Sequence, residues 1–230
     1  MGYARASSVL NRWPRYYPIL QFLERHPGLF ILEVGSGPVG LAGFREGELV
    51  GCDLAFTEPP HPSLRPVIAS AELLPFATES FDLVICQDTL EHLPLAKREG
   101  FLREAARVSR RFVYISFPQG RGARLADRLY ATYHLRLRRL PLPDWLEEHF
   151  TIPSVDPEQV RSVLAQFGRV EVQRNENLAA HMAVVLIEHW PRLNRLAVSF
   201  TQSNRWPTRC CFWLANLPPT YRQAVMLYKK

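Results

Sequence analysis

Residues 31–40 read Ile-Leu-Glu-Val-Gly-Ser-Gly-Pro-Val-Gly. An apolar run carrying one acid, Glu33, passes straight into a glycine loop. This is the pattern of a buried strand that turns sharply and leaves its backbone open to a ligand, because a Cβ would block both the bend and the approach. Asp53 ends a second apolar run, Leu49-Val50-Gly51-Cys52, about twenty residues after Glu33. In nucleotide-binding α/β folds a carboxylate at that place accepts hydrogen bonds from a ribose diol. Gly35, Gly37 and Gly40 also match a dinucleotide fingerprint, which keeps a nicotinamide-dependent oxidoreductase as an alternative. Two residues argue against a pyrophosphate ligand. Pro38 has no N–H to offer. Glu33 brings negative charge to the loop, which suits a cationic or zwitterionic ligand.

A second group of side chains could act on a bound acceptor. His92 follows the apolar run of residues 81–86 and is the candidate general base, with packing or capping of the next helix as its structural reading. Asp88 and Glu91 are rival carboxylates, more simply read as solvated or capping groups. His134, His149 and His181 fall in or near stretches able to reach over a cleft. The four cysteines (Cys52, Cys86, Cys210 and Cys211) form no C-x-x-C pair, and no metal-ligand spacing is present. Cys52 and Cys86 sit in apolar runs and read as buried, reduced thiols.

The elements that must position these residues alternate. A helix is expected over residues 13–25, closed by His26-Pro27-Gly28. Strands follow over 30–34, 49–52, 66–69, 81–86 and 112–117. Helices are expected over 38–44 and 95–108, and the prolines at 59, 60, 62 and 66 mark a loop over 57–66. Asp156-Pro157-Glu158-Gln159 is a helix start, with an acid cap and proline at the first position, and that helix is expected to run to Phe167, where Gly168 closes it. Strands over 170–173 and 224–228 complete the pattern. Alternation of this kind implies a doubly wound α/β fold: a mostly parallel sheet with helices on both faces, in a single domain spanning residues 1–230. Two stretches, about 121–150 and 178–220, do not fit the repeating unit. They are read as helical insertions forming a lid or cap.

The first of these insertions is basic. Arg121, Arg124, Arg128, Arg136, Arg138 and Arg139 face a single acid, Asp127, while Leu125, Leu129, Tyr133, Leu137 and Leu140 recur at helical spacing. The plain reading is a lid whose apolar side covers the cleft. The sharper one is contact with a membrane surface or an anionic substrate. The second insertion holds His189, Trp190, Phe200, Trp206, Phe212 and Trp213, which suit either an apolar acceptor pocket or core. A formal net charge of +6 over 230 residues does not by itself argue for nucleic acid. Residues 1–10 lack the apolar core of a secretory signal, and no apolar run approaches 18 residues, so a cytoplasmic protein, peripheral to a membrane at most, is expected.

Four blocks, taken together, resemble the class I S-adenosylmethionine-dependent methyltransferases, specifically a type 11-like methyltransferase domain with a Rossmann-like sheet. They are Leu32-Glu33-Val34-Gly35-Ser36-Gly37; Gly51-Cys52-Asp53-Leu54; Ala71-Glu72-Leu73-Leu74-Pro75-Phe76 with Ser80-Phe81-Asp82-Leu83-Val84; and Leu90-Glu91-His92-Leu93. The resemblance implies S-adenosylmethionine as cofactor. Gly35, Ser36 and Gly37 would lie under its methionine part, Asp53 would bind the ribose hydroxyls, Ala71 and Glu72 would flank the adenine and the Cys86-Gln87 backbone would meet the methionine end, with Glu33 and Leu54 also among the cofactor-binding residues. It implies transfer of a methyl group by in-line displacement to a small-molecule or lipid-like acceptor. Ser70 stands where the family commonly has Asp, and Ser109-Arg110-Arg111 replaces a Lys-Pro-Gly-Gly turn. These departures keep a non-catalytic binding or regulatory protein as an alternative. Gln87-Asp88-Thr89-Leu90 replaces the Asn/Asp-Pro-Pro-Tyr type of motif, so nucleic-acid or protein methylation is not expected.

Overall fold

The computed structural model describes residues 9–190, 192–196 and 217–230. Helix α1 (Val9–Arg25) leads into strand β1 (Ile31–Val34), β2 (Leu49–Asp53), β3 (Leu64–Ile68) and β4 (Phe81–Gln87). Helix α2 (Leu95–Val108), strand β5 (Ser109–Pro118), and helices α3 (Gly120–Thr132), α4 (Asp144–Thr151) and α5 (Pro157–Leu164) follow. Strand β6 (Gly168–Asn177), helix α6 (Leu178–Glu188) and strand β7 (Thr220–Lys229) complete the chain. The seven strands form one sheet in the order β3-β2-β1-β4-β5-β7-β6. Strands β1 to β5 run parallel, and β7 lies antiparallel between β5 and β6.

Both faces of the sheet are covered, which is why β1 and β4 are apolar along nearly their whole length. Alternate residues point to opposite faces. Leu32, Val34, Val84 and Cys86 pack with Phe101, Leu102 and Ala105 of α2 and Val160 and Leu164 of α5. Ile31, Leu83 and Ile85 pack with Tyr16, Ile19 and Phe22 of α1. Burial drives the Cys52 thiol up to about 11 and raises Cys86 further, so both behave as inert core groups. Cys210 and Cys211 lie outside the described residues.

The chain leaves β1 toward β2 on one side of the sheet and later returns to place β4 on the other. The carboxyl ends of β1 and β4 therefore flank the point where strand order reverses, and in open α/β sheets this is where a crevice forms. Register places Val34 beside both Cys52 and Cys86, so the loops after β1, β2 and β4 emerge side by side.

Three expectations are corrected. Residues 38–44 form no α-helix, only a 3-10 turn at Gly40–Gly43. Gly37 and Gly40 both have positive φ, and Pro38 lies between them, so the α conformation cannot propagate through the segment. Strand β3 starts at Leu64, inside the expected proline loop. Pro66 is tolerated because β3 is an edge strand. Strands β6 and β7 are each ten residues long, well beyond the short runs read from hydropathy, because they pair with each other along their whole length. The capped start at Asp156 is as expected, with its carboxylate accepting from the Glu158 N–H at 3.0 Å, although α5 ends at Leu164.

Candidate active site

The loop after β1 is held from below and from the side. The Gly35 N–H donates to the Cys52 carbonyl at 2.7 Å, which extends the sheet ladder by one residue. Gly35 has φ +75, and a Cβ there would lie 2.0 Å from Oγ1 of Thr89, on the turn after β4. Glycine is thus required twice, by the backbone angle and by the close approach of a second loop. Gly37 has φ +53 and nothing within 4 Å of where a Cβ would stand, so the loop faces open space at that point. Ser36 is buried, with its hydroxyl turned to the Gly37 carbonyl.

Asp53 sits half-buried at the end of β2. Its Oδ2 accepts from the Gly37 N–H at 2.8 Å and its Oδ1 from the Leu54 N–H at 2.7 Å. Each oxygen keeps a further lone pair, since an ionised carboxylate has about four acceptor sites. The Leu54 side chain is 71% exposed and stands at the rim. Ala71 is buried. Glu72 pairs with Lys97 of α2 at 2.7 Å, and its N–H donates to the Ser70 hydroxyl at 3.4 Å. Cys86 and Gln87 are buried at the end of β4, and Oε1 of Gln87 has no hydrogen-bond partner.

Glu33 is not at the loop mouth. It is fully buried, accepting from the Tyr16 hydroxyl at 2.6 Å and the Leu41 N–H at 2.7 Å. It ties the glycine loop to α1. Burial pushes its carboxyl up to about 7, against the opposing pull of those two hydrogen bonds. A carboxyl with a folded pKa above its unfolded value of 4.5 binds more protons when folded. Stability should therefore fall as pH rises from about 4.5 to about 7, by about 3 kcal/mol in total. Urea unfolding across that window should show this loss in the natural chain and a flatter profile in Glu33→Gln. Equal slopes would show that Glu33 is ionised at little cost.

The turn after β4 carries the acceptor-side candidates, and they separate. Asp88 is a structural carboxylate. It pairs with Arg222 of β7 at 2.8 Å and Arg15 of α1 at 3.1 Å. Burial alone would raise it, but Arg222 and Arg15 outweigh burial and hold it below the usual carboxylate range. Arg222 also pairs with Glu176 of β6. Glu91 is buried, and neither of its carboxylate oxygens has a partner. Burial, reinforced by Asp88, drives its carboxyl well above the ordinary value. His92 bonds through Nδ1 to Oε2 of Glu148 at 2.5 Å. Burial holds its imidazole below the usual range, although Glu148 pulls the other way.

Of the remaining histidines only His149 joins this group. Its ring centroid is 5.5 Å from that of His92, and its Nδ1 bonds to Oδ2 of Asp127 at 3.0 Å. His134 is turned to the Pro141 carbonyl at 2.9 Å, and His181 stacks on Tyr221 at 3.6 Å while bonding Glu176. Those two are structural. Arg98 of α2 clamps the turn by donating to the carbonyls of Glu91, Leu93 and Pro153. Sequence reasoning missed Tyr16, Thr89, Arg98, Glu148, Tyr221 and Arg222. Asp127, the lone acid on a basic helix, was the one signal for this network, and it was read only as charge.

These features fit an adenosyl sulfonium amino acid: open space above the glycine loop after β1, a carboxylate with free acceptor capacity at the end of β2 on one side, and the orphaned Gln87 amide oxygen at the end of β4 on the other. Residues 32–116 match the model of a family described as a methyltransferase domain. Over that stretch the chain carries a methyltransferase domain. The fold of this methyltransferase domain recurs in solved structures. A putative methyltransferase from an antibiotic biosynthesis pathway of Anabaena variabilis aligns over 94% of this chain and 98% of its own, with TM-score 0.56 and 15% identity. A Pyrococcus horikoshii protein aligns over 97% and 95%, with TM-score 0.54 and 14% identity. The magnesium protoporphyrin IX methyltransferase of Synechocystis, solved with bound S-adenosylhomocysteine, aligns over 100% and 89%, with TM-score 0.53 and 12% identity. No curated protein sequence matches the chain.

In the first insertion the apolar spacing and the packing face part company. Helix α3 buries its small side, Ala123 and Ala126 against Tyr221 and Tyr130 and Ala131 against Leu146. Leu125 and Leu129 are each 52% exposed, and Leu137, on the π-helical turn Tyr133–Leu137, is 75% exposed. The leucine face thus points outward, among the arginines. Trp190 is exposed as well. Phe200, Trp206, Phe212 and Trp213 lie outside the described residues. No helix among the described residues is long and apolar enough to cross a membrane.

Proposed function

We propose that this domain transfers a methyl group from S-adenosylmethionine to a small, lipid-like acceptor presented at a membrane surface. The observation that carries the cofactor reading is Asp53, a strand-end carboxylate fixed by Gly37 and Leu54 with acceptor capacity left over. When bound, the cofactor supplies an activated methyl on a sulfonium. The remaining work of the chain is to orient, exclude water and handle a proton where the acceptor carries one. In this reading Gly35, Ser36 and Gly37 cradle the methionine part and Asp53 grips the ribose diol. Leu54, Ala71 and Glu72 border the adenine, and the backbone of Cys86 and Gln87 meets the methionine end. Glu33 acts through the loop it anchors. His92 is the acceptor-side group, held through Nδ1 by Glu148.

The lipid-like acceptor is supported by the outward leucines Leu125, Leu129 and Leu137, set among Arg121, Arg124, Arg128 and Arg136. An apolar strip flanked by cations suits the boundary of an anionic bilayer. A phosphoethanolamine N-methyltransferase from Haemonchus contortus shares the fold at TM-score 0.54 and 14% identity, over 96% of this chain and 56% of that one.

Labelled methyl should enter the lipid-extractable fraction of a cell extract. The chain should also co-float with vesicles containing anionic lipid, less so as salt is raised. Leu125→Asp with Leu129→Asp should abolish flotation and leave S-adenosylhomocysteine binding unchanged. Label appearing only in water-soluble products would end the lipid reading, and flotation unaffected by the double change would end the membrane surface.

A further inference from the structure

We propose that Glu91, His92 and His149 form a binding site for a divalent cation of the zinc class, placed on the acceptor side of the cleft. One ligand atom from each of the three lies within 4.8 Å of the others. Zinc bonds of about 2.1 Å in a tetrahedral arrangement would draw them to about 3.4 Å apart, within reach of small side-chain rotations. The three come from separate places. Glu91 and His92 lie on the turn after β4, and His149 comes from α4, 57 residues further on by number, which is why no sequence spacing discloses the group.

Three independent features favour a cation over a chance meeting of side chains. First, Glu91 is 7% exposed and both its oxygens lack partners. Buried carboxylates are normally paired or bound to a metal, and this one has no other claim on its lone pairs. Second, each imidazole has a carboxylate on Nδ1, Glu148 for His92 and Asp127 for His149. That selects the Nδ1–H tautomer and leaves the Nε2 lone pair for an ion, the outer arrangement that orients metal-binding histidines. Third, this outer layer is itself anchored. The Tyr221 hydroxyl donates to Oδ1 of Asp127 at 2.8 Å, and Arg98 pins the backbone at Glu91, Leu93 and Pro153.

The donor set selects the ion. Two imidazoles and one carboxylate suit zinc or a neighbouring first-row ion, whereas magnesium and calcium take oxygen ligands. Three protein ligands leave a position open, the pattern of a catalytic site and not a structural one. An acceptor bearing a hydroxyl or phosphate oxygen fits that position. A hydroxyl held there would be acidified, as zinc lowers bound water to about 7, so that solvent water could take its proton before the oxygen attacks the methyl group. The role of the ion in acceptor binding rests on the methyl-transfer reading; the ion site itself does not.

The test uses the full chain, stripped with a chelator and titrated by calorimetry with Zn2+ and, separately, Mg2+. The expected result is one equivalent of Zn2+ bound, with Mg2+ at least 100-fold weaker. Glu91→Gln and His149→Gln should each weaken Zn2+ at least tenfold, and Asp127→Asn should weaken it about tenfold through His149. Glu91→Gln preserves shape and relieves an unpartnered buried acid, so it should fold at least as well as the natural chain without metal and lose the zinc-dependent rise in Tm. His134→Gln, away from the group, should bind Zn2+ normally. Equal Zn2+ affinity in the natural chain and in Glu91→Gln with His149→Gln would overturn the site. S-adenosylhomocysteine titrated into the same preparations separates the two readings. Its binding without zinc binding leaves methyl transfer standing and removes the ion, and the reverse outcome removes the cofactor reading alone.

Discussion

Asp53→Ala is expected to weaken S-adenosylhomocysteine binding at least about 100-fold, measured by calorimetry. A hydrogen bond to a charged group contributes about 1.5–3 kcal/mol, and a ribose diol makes two to one carboxylate, so a loss near 3 kcal/mol corresponds to roughly two orders of magnitude in Kd. The structure adds a second reason. Asp53 also receives the Gly37 and Leu54 N–H groups, so its removal frees the loop that would cradle the methionine part. Asp53→Asn separates the two contributions, because it keeps one carbonyl acceptor and loses the charge. It should fall between the natural chain and the alanine variant. The folded stability of Asp53→Ala should change little, since the side chain is only half-buried. Affinity within twofold of the natural chain would remove Asp53 from the site and, with it, the main support for an adenosyl ligand.

Arg222→Met should have the largest effect on stability. Arg222 is 3% exposed and serves two acids, Asp88 from the turn after β4 and Glu176 from β6. Removing one partner of a buried pair leaves charge without compensation and costs about 3–5 kcal/mol. For a chain of this size that corresponds to a fall in Tm of about 10 °C. The residual charge has consequences near the site. Asp88 has φ +51, and its N–H donates to the Ser116 carbonyl, so its side chain and backbone both shape the turn bearing Glu91 and His92. Arg15 alone would then hold Asp88, and zinc affinity should fall with Tm. Arg222→Lys, which keeps the charge on a shorter and less directional group, should recover part of the loss. An unchanged Tm in Arg222→Met would mean that water reaches and solvates this cluster.

Much of the sheet was legible because each strand carries its own signature. A strand covered on both faces must be continuously apolar, so residues 31–34 and 81–86 could be recognised locally. Asp156 and Pro157 announced their helix by local capping chemistry. Residues 38–44 were misread because their apolar content suits a helix while the positive φ of Gly37 and Gly40 depends on what the loop must approach. The lengths of β6 and β7 follow from mutual pairing, which hydropathy does not encode. The outward turn of Leu125 and Leu129 followed from the packing of small residues, Ala123 and Ala126, against β7, a choice between two faces that amphipathic spacing alone cannot make.

From the order of its residues alone this chain declares a parallel α/β sheet, a glycine loop after the first strand and an acid after the second. Each of these is local: a run of apolar residues, a turn, a strand end. Tertiary structure decided what the charged groups do. It buried Glu33 beneath the loop, gave Asp88 to Arg222 and Arg15, and carried His149 on α4 to stand beside His92 and the orphaned Glu91. Those assignments depend on distances between residues far apart in the chain and on the low dielectric of the interior, which turns an ordinary carboxylate into either half of an ion pair or a ligand awaiting a cation.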